Sequence, residues 1–202
     1  MLPFIGLTGG IGSGKSTALA GLERMGCAVL STDQVVHDLY GSADVVSAVT
    51  GRFGDDVAPG GVVDRSVLAE RAFASAEGRE WLERLLWPKV GERVVAWKSA
   101  AERSEPPPRA IVVEVPLLFE SGLDRGYDAT IAVISDEAVR AGRAGGRGHR
   151  ALDERAARQL SQEEKAARST YVVVNDGDIP ELEQKLSALL DKITHGANER
   201  DE

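Results

Sequence analysis

An eight-residue segment near the start of the chain restricts its fold more than any other feature. Residues 9–16 are Gly-Gly-Ile-Gly-Ser-Gly-Lys-Ser, a complete G-x-x-x-x-G-K-[S/T] pattern. An apolar run at residues 2–7 predicts a strand before it, and the sequence from Lys15 onward predicts a helix after it. A glycine-rich turn is the simpler alternative, but the full pattern in this context indicates a phosphate loop.

The residue types in this loop suit a nucleoside triphosphate. Glycines let successive backbone N–H groups turn inward around a β-phosphate, at a helix N-terminus that attracts anions. We expect Lys15 to reach the β- and γ-phosphates and the Ser16 hydroxyl to bind Mg²⁺. The predicted nucleotide-binding residues of the loop are Gly10, Ile11, Gly12, Ser13, Gly14, Lys15, Ser16 and Thr17.

Short β-rich runs alternate with helical patterns along the chain, which is typical of an α/β protein with a parallel sheet. Nearly continuous apolar runs suit strands that helices cover on both faces. We predict a three-layer phosphate-loop NTPase fold whose five parallel strands are residues 2–7, 27–31, 110–115, 129–134 and 171–174. Helices are predicted at 15–25, 75–86, 88–103, 152–168 and 179–193, the third beginning at Pro88 because proline suits a first helical turn.

The second and third predicted strands lie much further apart than one connecting helix requires. Several helices must fill residues 34–103, and they form a candidate substrate-binding subdomain inserted into a single domain. The predicted core comprises residues 1–33, 104–134 and 169–195, with a lid at 135–168 and a polar tail at 196–202.

Charge and cysteine content exclude several classes of protein. The 202-residue chain carries 32 acidic and 24 basic side chains, a net charge of −8, which argues against a protein that coats nucleic acid or anionic membranes. A single cysteine, Cys27, excludes an intramolecular disulfide and is compatible with a reducing compartment. Neither a membrane span nor a secretory signal is indicated. We expect a cytoplasmic protein, a monomer or small homo-oligomer, that acts on a small molecule.

Asp33 follows the second predicted strand. Open parallel sheets bind ligands at the carboxyl ends of their strands, so this carboxylate could align an acceptor hydroxyl or accept its proton. The alternative is an N-cap for a helix that begins at Gln34. Spacing alone does not separate the two roles.

Glu114 ends the third predicted strand after a run of apolar residues. An acid in this position, beside a phosphate loop, is typical of the group that holds Mg²⁺ through water. A strand-end residue that faces solvent is the alternative. The apolar neighbours favour the metal role, so Ser16 and Glu114 are the predicted metal ligands.

Two further segments carry candidate residues. Residues 140–150 contain four arginines among glycines and no acid, which suits a lid that closes over phosphates, although a solvated surface loop has the same composition. Arg143 and Arg147 would share one face of a helix there. Asn175 follows the last predicted strand, where backbone groups could contact an adenine edge, but Asn-Asp-Gly is also a turn sequence.

A phosphate loop does not by itself specify a reaction, because switches, motors and kinases share it. A GTPase needs a guanine-reading Asn-Lys-x-Asp, and neither Asn175 nor Asn198 is followed by lysine. A kinase of a small nucleotide or metabolite and a non-enzymatic ATP-dependent switch therefore remain.

The chain resembles the dephospho-CoA kinase family over nearly its whole length. Residues 5–17, Ile-Gly-Leu-Thr-Gly-Gly-Ile-Gly-Ser-Gly-Lys-Ser-Thr, are similar to the opening of that family, and residues 116–120, Pro-Leu-Leu-Phe-Glu, match a second motif. The similarity also includes Asp33, Phe53-Gly54, residues 63–68, Trp87-Pro88, Arg143, Arg147, residues 158–162 and residues 175–177.

The resemblance implies transfer of phosphate from ATP to the 3′-hydroxyl of dephospho-CoA, the last step of CoA synthesis, by a core with a helical CoA subdomain and a lid. It implies that Lys15, Asp33 and Arg143 are catalytic and that Arg147 and Asn175 belong to the nucleotide side. The implied substrate-binding residues are Thr8, Asp33, Leu117, Phe119 and Glu120.

The chain departs from the family pattern at a few positions. Family members usually have aspartate at Glu114, histidine at Trp87, glutamine at Arg140 and Ala-Asp at Ser169-Thr170. Their Asp-Ala-Asp is Ser31-Thr32-Asp33 here, which keeps only the last acid. Glutamate adds a methylene to the predicted metal ligand and keeps its charge.

Overall fold

The computed structural model describes residues 2–144 and 159–198. The strands are β1 (Phe4–Gly9), β2 (Ala28–Ser31), β3 (Ile111–Glu114), β4 (Ala129–Ile134) and β5 (Tyr171–Val174). The helices are α1 (Lys15–Arg24), α2 (Thr32–Leu39), α3 (Ala43–Phe53), α4 (Arg65–Phe73), α5 (Ala76–Ala101), α6 (Glu137–Ala144), α7 (Gln162–Arg168) and α8 (Ile179–Asn198). Short 3₁₀ helices lie at Asp55–Val57, Pro59–Gly61 and Leu123–Gly126.

The five strands form one parallel sheet in the order β2-β3-β1-β4-β5, as predicted. The central strand β1 runs two residues further than the predicted end at Leu7. Thr8 and Gly9 continue the ladder opposite Ala132 and Val133 of β4, so the first glycine of the loop is still a strand residue.

Side chains along β1 alternate in direction, so they contact helices on both faces of the sheet. Ile5 and Leu7 belong to a buried cluster with α1 and α8. Thr8 points to the other face, where its hydroxyl meets Lys165 of α7. The other buried members of the cluster are Ala18, Leu19, Leu22, Cys27, Ala110, Val112, Ile131, Val133, Val173, Leu182, Leu186, Leu190 and Ile193.

The chain divides into two compact units, and the first, Met1–Ser31 with Lys98–Glu202, contains the sheet. The second unit, Thr32–Trp97, is helical in its secondary structure, with α2, α3, α4 and most of α5. Asp64 caps α4 by accepting from the backbone amides of Ser66 and Val67.

The prediction of two helices around Pro88 is wrong, because α5 continues through the proline from Ala76 to Ala101. Proline cannot donate to the carbonyl four residues earlier, which weakens a helix without ending it where packing holds the flanks. Leu82 and Leu86, in the turns before Pro88, are buried and provide that packing.

The last helix is longer than predicted. α8 extends past the expected end at Ile193 to Asn198, so the predicted polar tail begins inside a helix. Of the helix predicted at 152–168, the structure describes 162–168 as α7, and residues 152–158 lie outside the described part. Across the described residues, no helix combines the length and apolar content that a membrane crossing requires.

Leu186→Ala tests the packing of α8 on the sheet. The Leu186 side chain is fully buried in the cluster of α1, α8 and the strands, so its truncation should lower the free energy of unfolding by about 2–5 kcal/mol. Urea denaturation measures this, and Ile179→Ala, at a residue 54% exposed at the start of the same helix, is the control. Equal midpoints for the two variants would contradict this account of the core.

Candidate active site

The phosphate loop joins the central strand to α1 at the carboxyl edge of the sheet. Its backbone closes on itself through a hydrogen bond from Ser13 N to the Gly10 carbonyl at 3.2 Å. The Lys15 ammonium donates to the same carbonyl at 3.1 Å, so the lysine lies across the loop. Ser13 is fully buried, and within the described part of the chain its hydroxyl has no hydrogen-bond partner, as suits a loop whose donors serve an anion.

Gly14 is the residue that this loop geometry requires most. It has a φ of +91°, in the left-handed region, and it immediately precedes α1. A side chain at this position would overlap the amide nitrogen of Asn175. The positive φ and the close approach of Asn175, just after β5, therefore both require glycine at position 14.

Two arginines of α6 bind backbone carbonyls around the loop. Arg140 Nε donates to the carbonyl of Ile11 at 3.0 Å. Arg143 donates to the carbonyl of Asn175 at 2.9 Å and approaches the Ser135 hydroxyl at 3.4 Å. The predicted Arg147 lies outside the described residues.

Asn175 contacts the loop through its side chain. Its amide nitrogen donates to the Ser13 carbonyl at 2.8 Å, and the residue is buried. The neighbouring Asp176 carboxylate accepts from the Asp136 amide and the Ser135 hydroxyl. The pKa of Asp176 is lowered, first by the Asp136 hydrogen bond and further by Ser135 and by the positive charges of Lys185 and Arg143.

A cleft of about 530 Å³ opens beside the loop within the sheet-containing unit. Gly10, Ile11 and Arg140 form one wall, and the residues that lead into and begin α7 form another. Most of the side chains that line the cleft are polar. Besides the first wall, the lining residues are Ser135, Asp136, Glu137, Gln159, Leu160, Ser161, Gln162 and Glu163.

The two predicted metal ligands differ in exposure. Ser16 is exposed at the start of α1, whereas Glu114 is only 6% exposed at the end of β3. The strand register places Glu114 between Leu7 of β1 and Ser31 of β2. The alternative of a solvent-facing strand end is therefore wrong for Glu114.

Asp33 is exposed in the first turn of α2, two residues after the end of β2. The helix begins at Thr32, which differs from the expected start at Gln34 and puts Asp33 inside the helix. Asp33 is therefore not the N-cap residue that the sequence allowed as an alternative. The residue belongs to the second compact unit.

The residues implied in acceptor binding differ in burial: two are buried, two are half-buried, and Asp33 is exposed. Thr8 is fully buried, and its hydroxyl faces the Pro116 carbonyl at 3.4 Å. Leu117 is half-buried and Phe119 is buried. Glu120 forms an ion pair with the buried Lys165 at 2.8 Å, so its carboxylate has a partner inside the protein.

Comparisons with known proteins identify the family. The family model for dephospho-CoA kinase matches residues 3–181. The chain belongs to the dephospho-CoA kinase family. The dephospho-CoA kinase of Deinococcus radiodurans is 38% identical over 190 residues, which cover 92% of this chain and 90% of that protein.

Solved structures show the same fold. TT1252 from Thermus thermophilus matches with a TM-score of 0.76 at 32% identity, and the match covers 95% of this chain and 97% of that chain. A dephospho-CoA kinase from Campylobacter jejuni has a TM-score of 0.71 over 98% of this chain and 100% of its own, at 23% identity. The second likeness concerns the fold alone.

Sequence reasoning missed several contacts that this family member makes around its phosphate loop. Ser135, which follows β4, binds both Asn175 and Asp176, and its place at the carboxyl edge of a strand was a usable signal. Gln162 of α7 donates to the Ser135 carbonyl and accepts from its amide. The burial of Lys165 could not be predicted from the sequence, because a lysine in a charged helical segment is normally solvated.

Gly14→Ala tests the geometry of the phosphate loop. A left-handed conformation costs an L-residue about 1–2 kcal/mol, and the new side chain would meet Asn175, so ATP affinity should fall by about tenfold or more. Titration calorimetry with ATP measures the change.

Gly51→Ala is the matched control for this substitution. Gly51 lies within α3 with open space around it, so alanine there should leave ATP affinity unchanged and favour the helix by about 0.5–1 kcal/mol. Wild-type affinity for ATP in a folded Gly14→Ala variant would contradict this interpretation of the loop.

Proposed function

We propose that this chain transfers the γ-phosphoryl group of ATP to the 3′-hydroxyl of dephospho-CoA, with CoA and ADP as products. The observation that carries the proposal is the family match over residues 3–181. That range contains the complete phosphate loop and the implied acceptor acid, metal ligand and lid arginine, which are Asp33, Glu114 and Arg143.

The nucleotide half of the reaction rests on the phosphate loop and α6. The backbone amides of residues 10–17 hold the phosphates, and Lys15 exchanges the Gly10 carbonyl for phosphate oxygens. Arg143 exchanges the Asn175 carbonyl for the migrating phosphoryl group, and Arg147 assists on the nucleotide side. These cations stabilise the charge that develops in the transition state.

The Ser16 hydroxyl and the Glu114 carboxylate would hold Mg²⁺ in this proposal. Both are oxygen donors, which Mg²⁺ prefers. Among residues 2–144 and 159–198, no three His, Cys, Asp or Glu side chains form a group that could hold a metal. Proteins usually bind Mg²⁺ through one or two carboxylates together with substrate phosphates and water. When bound, Mg²⁺ neutralises charge on the β- and γ-phosphates.

Asp33 aligns the 3′-hydroxyl for in-line attack on the γ-phosphorus. Asp33 places a carboxylate at an exposed position in the first turn of α2. Alignment of a substrate hydroxyl by such a group supplies much of the rate in phosphoryl transfer. The helical unit Thr32–Trp97 is the proposed CoA subdomain, and residues 135–168 are the proposed lid.

The proposed acceptor border comprises Thr8 and residues 116–120. Leu117 is the member that would touch the acceptor directly, because it is half-buried. Phe119 and Glu120 would act by shaping this segment, since one is buried and the other is paired with Lys165.

We infer that the reaction takes place in the cytoplasm, in a monomer or a small homo-oligomer. The one thiol of the chain, Cys27, is buried, and burial raises its pKa to about 11, against the opposing influence of Arg109 and the Ala110 amide. A free, buried thiol and the lack of any intramolecular disulfide are compatible with the reducing cytoplasm.

A panel of acceptors tests the function. Purified protein with MgATP should phosphorylate dephospho-CoA and form CoA, whereas nucleoside monophosphates and shikimate should give only background turnover. ADP release and mass spectrometry of the product measure this. Turnover on a nucleoside monophosphate without any on dephospho-CoA would favour a different nucleotide kinase, and ATP binding without product would favour a switch.

Asp33→Asn tests the acceptor acid. Loss of the carboxylate should lower kcat by at least about tenfold while the dissociation constant for ATP stays within about twofold. Asp38→Asn is the matched control on the same helix, where Asp38 accepts a hydrogen bond from Gln34. Unchanged turnover in Asp33→Asn would remove this residue from the mechanism.

A further inference from the structure

Lys165 is a fully buried lysine beside the phosphate-loop strand, and the site described so far does not use it. It lies in the short helix α7, whose N-terminus is fixed by a capping box between Ser161 and Glu164. Its side chain is 0% exposed. Lysine is almost never fully buried unless its charge is paired and hydrogen-bonded, so such a position needs a reason.

The Lys165 ammonium has an acceptor for each of its three N–H groups. It donates to the Pro116 carbonyl at 2.7 Å, to Glu120 Oε1 at 2.8 Å and to Thr8 Oγ1 at 3.5 Å. Thr8 is the residue before the first glycine of the phosphate loop, and Pro116 lies two residues beyond Glu114. One cation therefore joins the end of β1 to the segment that follows β3.

Glu120 extends this connection to the chain that enters α7. Its Oε1 atom accepts the backbone amide of Leu160 at 2.8 Å in addition to the Lys165 ammonium. Within the described part of the chain its other oxygen, Oε2, is buried without a hydrogen-bond partner. The carboxylate is thus held through one oxygen, and it depends on Lys165 for its charge compensation.

We propose that Lys165 is a positioning residue for phosphoryl transfer, which holds the Thr8 hydroxyl and the residue 116–120 segment in register with the phosphate loop. The inference rests on the proposed function, because these two elements are the proposed acceptor border. A displacement of about 1 Å in such an element lowers the rate of an aligned reaction by about a hundredfold. The loop amides that bind the nucleotide do not belong to these two elements, so ATP binding should change little.

A structural explanation competes with this one, since a buried ion pair also affects folding. Removal of one partner leaves an uncompensated buried charge, whereas removal of both charges is often tolerated. Stability and turnover must therefore be measured on the same variants.

The test uses Lys165→Met, Lys165→Arg, Glu120→Gln and the double variant Lys165→Met/Glu120→Gln in the full chain. Steady-state kinetics give kcat and KM for ATP and dephospho-CoA separately, and urea denaturation gives stability. Lys165→Met should lower kcat by about tenfold or more, with KM for ATP within about twofold. Lys165→Arg should recover part of the turnover, because the guanidinium retains the charge and the donors but is larger than the ammonium.

The double variant separates the two explanations and covers the case in which Lys165→Met does not fold. It should be more stable than Lys165→Met, because no buried charge is left alone, yet its kcat should stay about tenfold below that of Glu120→Gln alone. A double variant that regains the turnover of Glu120→Gln would show that Lys165 acts only on folding and would overturn the proposal.

Lys98→Met is the control for the loss of a lysine. Lys98 forms a partly exposed pair with Glu102, and its removal should leave turnover within about twofold of wild type. Wild-type protein that is inactive on dephospho-CoA would refute the proposed function, and this inference with it. Active wild type together with an equally active Lys165→Met would refute this inference alone.

Discussion

The parallel pairing of β1 with β3 on one side and β4 on the other is the constraint on which the site depends. Its register places Leu7 beside Glu114 and Gly9 beside Val133. Parallel strands have their carboxyl ends at one edge, so the phosphate loop, Glu114 and the residues after β4 leave the sheet together. A slip of one residue would exchange the faces of Leu7 and Thr8 and would move Thr8 away from Lys165 into the apolar cluster.

Anion recognition in this protein is local and does not follow the average charge. The chain has a net charge of −8, which repels a long polyanion. Around the phosphate loop, however, Lys15, Arg140 and Arg143 all donate to backbone carbonyls. These contacts hold the three cations beside the loop, where phosphate groups would bind.

Much of the fold could be predicted from the sequence because strand and loop signals are local. The parallel sheet followed from short apolar runs, and the start of α1 at Lys15 followed from the phosphate-loop pattern. Helix α5 could not be predicted as one element, because packing of Leu82 and Leu86 outweighs the hydrogen bond that Pro88 cannot make. Helix α8 also extends beyond its predicted end, to Asn198.

By itself the sequence determined the phosphate loop, with a strand before it and a helix after it, and the acids and arginines that could serve it. Only the tertiary structure decided that Glu114 is buried, that Asn175 binds the loop through its side chain, and that Lys165 is an internal cation. The reason is distance along the chain. Glycine conformation and apolar periodicity act over a few neighbouring residues, whereas the partners of Lys165 at Pro116 and Thr8 are 49 and 157 positions away, and only the folded sheet brings them together.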